Sequence, residues 1–324
     1  MKKNYLKLIV FFPLLILISS CSSLVNKIAV KSTGAVLSEA SKEVFQEGNW
    51  DIFYHGVPGN LKLLESLNFI SSGDRNVLSA LIKGYSGYAF VVNETLSIDE
   101  DYNELDIKPN AEQATLNYSK AVSYGEKYLG TFNITYQDIS KASSSKSAVK
   151  QLFRDVGSSE SGLETLFFIG QAYGGLILMN RDNMSLVAKR PLVQSIFDYV
   201  CQKKPRINHG ACEIFYGANL VLTPAMMGGN PGKGQEIFLR AIKEYPNNYF
   251  IRVAYLQFYI IPFEEEDEYE EHLSFLQAKE KEFRSELEFN PNRKDNFVKN
   301  DLKLFQSIAF KRLEIIKRHS DNFF

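Results

Sequence analysis

Gly234-Gln235-Glu236-Ile237-Phe238-Leu239-Arg240-Ala241-Ile242-Lys243-Glu244-Tyr245-Pro246 sets out a small residue, an aromatic four on, a small residue three further and a proline past the end. Positions three and four apart share one face of a helix. Gly234 and Ala241 therefore mark where a neighbouring helix approaches closely, and Phe238 fills the space beside it. Pro246 stops the helix. This is the second half of a helical hairpin. A first half needs a large apolar residue, an aliphatic-Gly pair three on and an aromatic three further, and Leu166, Ile169, Gly170 and Tyr173 supply it. Tyr216-Gly217 matches another first half, and Ala114, Tyr118 and Ala121 another second half.

Helical periodicity extends outward from these stretches. Leu61, Leu64, Leu67 and Ile70 form one stripe, and after a Ser71-Ser72-Gly73-Asp74 break Val77, Leu78, Leu81, Tyr85, Tyr88 and Ala89 form a second. Further helices are predicted over 111–129, 149–153, 162–180, 186–201, 211–224, 234–244, 249–261, 268–287 and 296–317. Residues 97–110 read as a loop and 141–147 as a surface connection. The only β-like patches are Val91-Val92 and 132–136. Four partial hairpin halves in register predict an all-α fold, with degenerate tetratricopeptide-like helical hairpin repeats forming one compact array over 46–324. Insertions are expected at 96–110 and at 226–233, the latter lengthening the usual turn by about five residues.

The N-terminus carries a separate message. Lys2, Lys3 and Lys7 precede an apolar run from Leu8 to Ile18, the pattern of a secretory signal rather than a membrane span. Ile18-Ser19-Ser20-Cys21 resembles the bacterial lipobox, whose cysteine is acylated and becomes the first residue. Segment 1–20 reads as a lipoprotein signal peptide, Cys21 as the lipidation site and 21–45 as an anchor and N-terminal segment. Ser22, in place of the aspartate that retains lipoproteins at the inner membrane, points to an outer-membrane anchor facing the periplasm. After Cys21 no apolar run approaches the ~18 residues that span a bilayer, so the rest reads as soluble.

Removing 1–20 takes three lysines and no acids from a chain with 37 basic and 38 acidic residues, leaving 34 against 38, or -4. Such a charge excludes nucleic acid as an expected partner. Two cysteines remain, Cys201 and Cys212. In an oxidising compartment they are a candidate disulfide closing a helical hairpin; two buried free thiols are the alternative.

The stretch Pro224-Ala225-Met226-Met227-Gly228-Gly229-Asn230-Pro231 and the Phe238-Leu239-Arg240-Ala241-Ile242 that follows resemble the hallmark turn and helix of a known family. It is the T component of tetratricopeptide-repeat-protein-associated TRAP transporters. Leu166-Phe167-Phe168-Ile169-Gly170-Gln171-Ala172-Tyr173 is similar to another helix of that family, with Phe and Tyr where Trp is usual. The stretch from His209-Gly210-Ala211-Cys212 to Gly217 is similar to its next helix entry. Asn300, Ala309, Arg312 and Leu313 resemble, with imperfect spacing, its terminal helix. The resemblance covers most of 30–318. It implies a periplasmic lipoprotein built around an apolar cavity or pore, assembled as a homotrimer. Its implied partners are the periplasmic solute-binding protein of a TRAP transporter and a hydrophobic small molecule. Phe167, Phe168, Tyr173, Phe215, Tyr216, Tyr255, Phe258 and Tyr259 supply aromatics to line such a cavity; at helical spacing the competing reading is inter-repeat core.

Other chemistry is not encoded. Gly228 to Gly234 superficially resembles a phosphate loop, but Gly follows Lys233 where Ser or Thr would hold magnesium. His55, His209, His272 and His319 lack metal-ligand spacing, so no metal or cofactor is expected, and no Gly-x-Ser-x-Gly elbow is present. Glu264 to Glu268, with Glu270 and Glu271, reads as a helix start stabilised by the helix dipole. The expected function is a non-enzymatic transporter accessory that binds the solute-binding partner. A structural scaffold lipoprotein for envelope complexes, without a ligand, is the alternative.

Overall fold

The computed structural model describes residues 36, 41–294, 296 and 300–324; the expected signal segment 1–20 and the expected lipidation site Cys21 lie outside them. Among the described residues every regular element is helical, and the helices stack as an all-α array. Helix α1 (Trp50–Ile70) begins well before the Leu61 stripe, capped by Asn49, whose side chain accepts from the Asp51 and Ile52 amides. Pro58 lies inside it and withholds the amide that would reach the Tyr54 carbonyl. The Tyr88 hydroxyl donates to that carbonyl instead, at 3.3 Å.

Helix α2 (Arg75–Tyr88), capped by Asp74, passes through a π-helical turn (Ala89–Glu94) into α3 (Thr95–Tyr102). The Val91-Val92 patch is therefore helical, and the expected loop at 97–110 begins only after Tyr102. Burial overrides β-propensity at these valines, which are 3% and 0% exposed. The acids that made 97–110 look like a loop have structural partners. Asp99 faces Arg318 (2.9 Å) and His319 (2.8 Å), while Glu100 accepts from the Asn110 and Ala111 amides at the start of α4 (Pro109–Gly130). The other β-like patch, 132–136, is a turn with Asn133 at φ 59°, leading into a Thr135–Asp138 capping box on α5 (Tyr136–Ala142). Helix α6 (Lys146–Leu152) shortens the predicted surface connection to three residues.

Helices α7 (Glu160–Met179), α8 (Met184–Val187) and α9 (Arg190–Lys203) follow, then α10 (Ala211–Leu222) and α11 (Pro231–Glu244). The hallmark turn joins the last two. Gly228 takes φ +93°, a conformation glycine adopts without strain, and Asn230 caps α11 by accepting from the Lys233 amide at 3.0 Å. A Cβ on Gly217 would stand 2.8 Å from the Phe238 ring, and one on Gly234 2.9 Å from the Gly217 carbonyl oxygen. The small-residue spacing of the sequence is thus the contact line of the α10–α11 hairpin.

Helix α12 (Tyr249–Tyr255) also continues as a π-helical turn (Leu256–Ile260), before α13 (Glu266–Leu287) and α14 (Lys303–Arg318). The terminal helix begins seven residues later than expected. Asn296 closes a turn by donating to the Asn290 carbonyl, and Asn300 accepts from the Leu302 amide just ahead of α14. Polar side chains that bond local backbone in this way compete with helix.

Two hydrophobic cores result. One is built from α2, α4, α7 and α9, the other from α11, α12, α13 and α14; Phe45, Val57, Tyr88 and Phe90 touch both. On the flank of the first core Glu65 of α1 accepts from Tyr85 (2.5 Å) and pairs with Lys62 (2.6 Å) and Lys120 (3.4 Å). Burial alone would raise the Glu65 carboxyl, but the Lys62 and Tyr85 hydrogen bonds and the Lys120 charge outweigh it and lower its pKa to about 2. A carboxyl depressed on folding stabilises the protein above its unfolded pKa, and that contribution is lost as pH falls through the folded one. The expected result is that Glu65→Gln lowers the melting temperature at pH 7. The gap to the native protein should close between about pH 4.5 and 2. Parallel melting curves for the two proteins across that range would sink the assignment.

Candidate ligand cavity

One face of α7 decides the interior. Glu160, Glu164, Phe167, Phe168, Gln171, Gly174 and Leu178 recur at helical spacing, and all line a single cavity of about 1160 Å³ between the two cores. The lining continues with Ala80, Gly84 and Gly87 of α2, Val193 and Phe197 of α9, and Phe215 and Ala218 of α10. Phe53, Phe90, Phe250 and Phe305 close the side facing the second core. The lining is mainly apolar, and the volume exceeds the ~300–1,000 Å³ usual for small-ligand pockets.

The cavity follows α7 from Glu160 to Leu178, about 27 Å at 1.5 Å per residue. Exposed residues stand at both ends, Leu63 at one and Leu222 and Met227 at the other. Lys204, at the end of α9, pairs with Glu160 and Glu164 near the start of α7, so α9 runs antiparallel to α7 and brings Arg190 to the far end. The near mouth is rich in ion pairs: Lys83 with Glu164 (2.8 Å), Lys204 with both glutamates and Arg206 with Glu244 (3.6 Å), and the His209 ring nitrogen lies 3.0 Å from the Asp301 carboxylate. At the far mouth Arg190 donates to the Asn219 side-chain oxygen (2.9 Å) and to Thr223, and Arg181 donates to the Leu178 carbonyl (3.3 Å).

The eight aromatics expected at the cavity divide by chemistry. Phe167, Phe168, Phe215 and Phe258 line it. Tyr173, Tyr216, Tyr255 and Tyr259 stand outside the lining. Three are turned away by carboxylates: Tyr173 donates to Glu126 (3.0 Å), Tyr216 to Asp198 (2.9 Å) and Tyr255 to Glu268 (2.5 Å). Tyr259 stacks on Phe263. Phe197, stacked on Phe215 at 3.7 Å, was not singled out by the sequence, nor were Gly87 and Gly174. The repeat of lining positions along α7 was the signal that would have found the wall.

Arg312 forms the floor. It is 0% exposed and lies between the Phe90 and Phe250 rings, 5.1 Å from each centroid. It donates to Thr95 (3.0 Å), Gln257 (3.0 Å), the Phe90 carbonyl (3.3 Å) and Glu94 (3.1 Å). Glu94 in turn accepts from Tyr118 at 2.7 Å. Burial and the neighbouring Glu94 push the Tyr118 hydroxyl well above its ordinary pKa, so it stays a donor.

Cys201 and Cys212 are joined by a disulfide that ties α9 to α10 beside the near mouth. Between them Asn208, His209 and Gly210 are consecutively left-handed, at φ 46°, 53° and 103°. One helix departs from the expectation that no segment could span a bilayer: α7 is long and apolar enough, with an 18-residue window of mean hydropathy 1.3. Glu164, Thr165 and Gln171 interrupt its apolar run, and 56% of that window is buried against the other helices. It is the cavity wall. Among the described residues no cluster of three His, Cys, Asp or Glu could hold a metal ion.

The chain is thus an all-α array of helical hairpins around a long, mainly apolar cavity. The family model described as TRAP transporter T-component matches residues 46–324, and the chain belongs to that family. No curated protein matches the sequence. Membership makes it an accessory component of a TRAP transporter, a system of the cell envelope.

Proposed function

We propose that this T component is a periplasm-facing lipoprotein that holds an apolar small molecule in its central cavity and passes it to or from the solute-binding partner, without catalysis. The observation that carries the reading is the cavity along α7, mainly apolar and bordered by exposed residues at both ends. Acyl chains on Cys21 would fix it to a membrane, the outer one by the identity of Ser22. The homotrimer rests on the family resemblance. A scaffold without a ligand has no use for such a volume, because unfilled apolar space costs stability.

The first test is native mass spectrometry of the chain from Ser22 onward, followed by denaturation to identify whatever is released. A trimer carrying an apolar molecule supports the proposal; a bare monomer favours the scaffold. A plug makes a second test. A Cβ on Gly174 would meet only Val193, at 3.6 Å, so a larger side chain there extends into the cavity. Gly174→Leu is expected to keep or raise stability, since glycine costs a helix about 1 kcal/mol. It should weaken binding of a neutral naphthylamine dye by about tenfold or more. Unchanged dye affinity in a folded Gly174→Leu protein would rule the cavity out as the site.

A further inference from the structure

The two mouths differ in how their cations are balanced. At the near mouth Lys83, Lys204 and Arg206 each face a carboxylate within 3.6 Å. At the far mouth, among the described residues, Arg190 and Arg181 meet neutral oxygens. Arg190 is bound by Asn219 and Thr223, and Arg181 by the Leu178 carbonyl; among the described residues neither makes an ion pair. Asp182 follows Arg181 in the chain without pairing to it. Arg190 is half-buried, so its charge is only partly solvated, and a guanidinium there has N–H groups to spare after its two hydrogen bonds. Next to it the cavity turns apolar at Val193, Gly174 and Phe197. The rim outside is apolar as well, with Leu222 42%, Met227 59% and Met226 93% exposed.

We infer that the cavity takes a single-chain anionic amphiphile in one orientation, its oxyanion headgroup at Arg190 and Arg181 and its alkyl chain along α7 toward Glu164. The inference rests on the reading that the cavity holds an apolar ligand, and adds to it the charge and direction of that ligand. A planar guanidinium pairs two-pronged with a carboxylate or a phosphate monoester, and such charge-assisted bonds are about twice as strong as neutral ones. At the near mouth Glu160 and Glu164 neutralise the lysines and repel a second anion. A neutral alcohol of the same chain length would fill the same space and leave the arginines unpaired.

The test compares dodecanoate, dodecyl phosphate, dodecanol and dodecyltrimethylammonium as competitors of a neutral naphthylamine dye, on the chain from Ser22 onward. The expected result is that both anions displace the dye about tenfold or more better than dodecanol, and the cation no better. Arg181→Gln and Arg190→Gln should each erode the preference for the anions while leaving dodecanol unchanged, and Lys204→Gln at the near mouth should leave it intact. Melting curves identify any variant that fails to fold, and the ligand series on the native protein decides the question without variants. Equal affinity for dodecanol and the anions would overturn the headgroup assignment while leaving the apolar cavity standing, as would a preference abolished by Lys204→Gln. Displacement by none of the four would overturn both. A preference between the two anions tells a carboxylate from a phosphate source.

Discussion

Arg312→Leu is expected to remove about 3–5 kcal/mol of stability, a large part of the ~5–15 kcal/mol that holds a typical domain folded. The leucine restores apolar contact with Phe90 and Phe250 but leaves the Glu94 carboxylate 5% exposed with no cation. It also strands the Thr95 and Gln257 side-chain oxygens and the Phe90 carbonyl, each of which accepts from the guanidinium. Removing one partner of a buried pair is more damaging than removing both. The double variant Arg312→Leu, Glu94→Gln should therefore be more stable than Arg312→Leu alone, because the amide that replaces the carboxylate carries no charge. Urea denaturation followed by circular dichroism measures both. A single variant that loses under about 1 kcal/mol, or a double variant less stable than the single, would show that the pair is not what holds the floor.

Reducing the Cys201–Cys212 disulfide ranks next. The two residues are 11 apart, and the loop-entropy relation assigns a closed loop of that size roughly 3 kcal/mol. The enclosed segment includes Asn208 and His209 in left-handed conformations, which non-glycine residues disfavour, so an open chain has more to lose in adopting it. Dithiothreitol, or the pair Cys201→Ala and Cys212→Ala, is expected to lower the urea midpoint accordingly. The local readout is the near mouth: His209 and Lys204 belong to the tethered loop, and amide exchange there should rise more than in α2. A midpoint unmoved by reduction would mean that the hairpin is held by packing alone.

The hairpin logic was readable because it depends on residues a few positions apart. Gly234, Phe238 and Ala241 declare one helix face, and Gly217 declares the helix they meet. Where contacts are remote in sequence the reading failed. Val91 and Val92 have strand propensity, and nothing local announces that they are buried in a helix. Asp99 and Glu100 look like loop acids until His319 and the start of α4 are brought beside them. Gly56, Pro58 and Gly59 hid the first eleven residues of α1, because the compensation for Pro58 comes from Tyr88. At the site, aromatic content alone could not separate phenylalanines from tyrosines, since the difference lies in carboxylates from other positions such as Glu126 and Glu268. Arg312 was legible as a family position in the last helix. Its partner Glu94, 218 residues away, was not.

Each π-helical turn is the equivalent of one residue inserted into an α-helix. At 3.6 residues per turn an inserted residue rotates everything beyond it by about 100°. In the Ala89–Glu94 turn that rotation directs Glu94 and Thr95 at Arg312 and carries Asp99 round to His319; in the Leu256–Ile260 turn it presents Gln257 to the same guanidinium. The length of these two segments is therefore under a tighter constraint than their composition. Val91→Ile changes a side chain by one methylene, whereas deleting a single residue between 89 and 94 would turn the wrong face of α3 toward the terminal helix and leave the arginine without its acid.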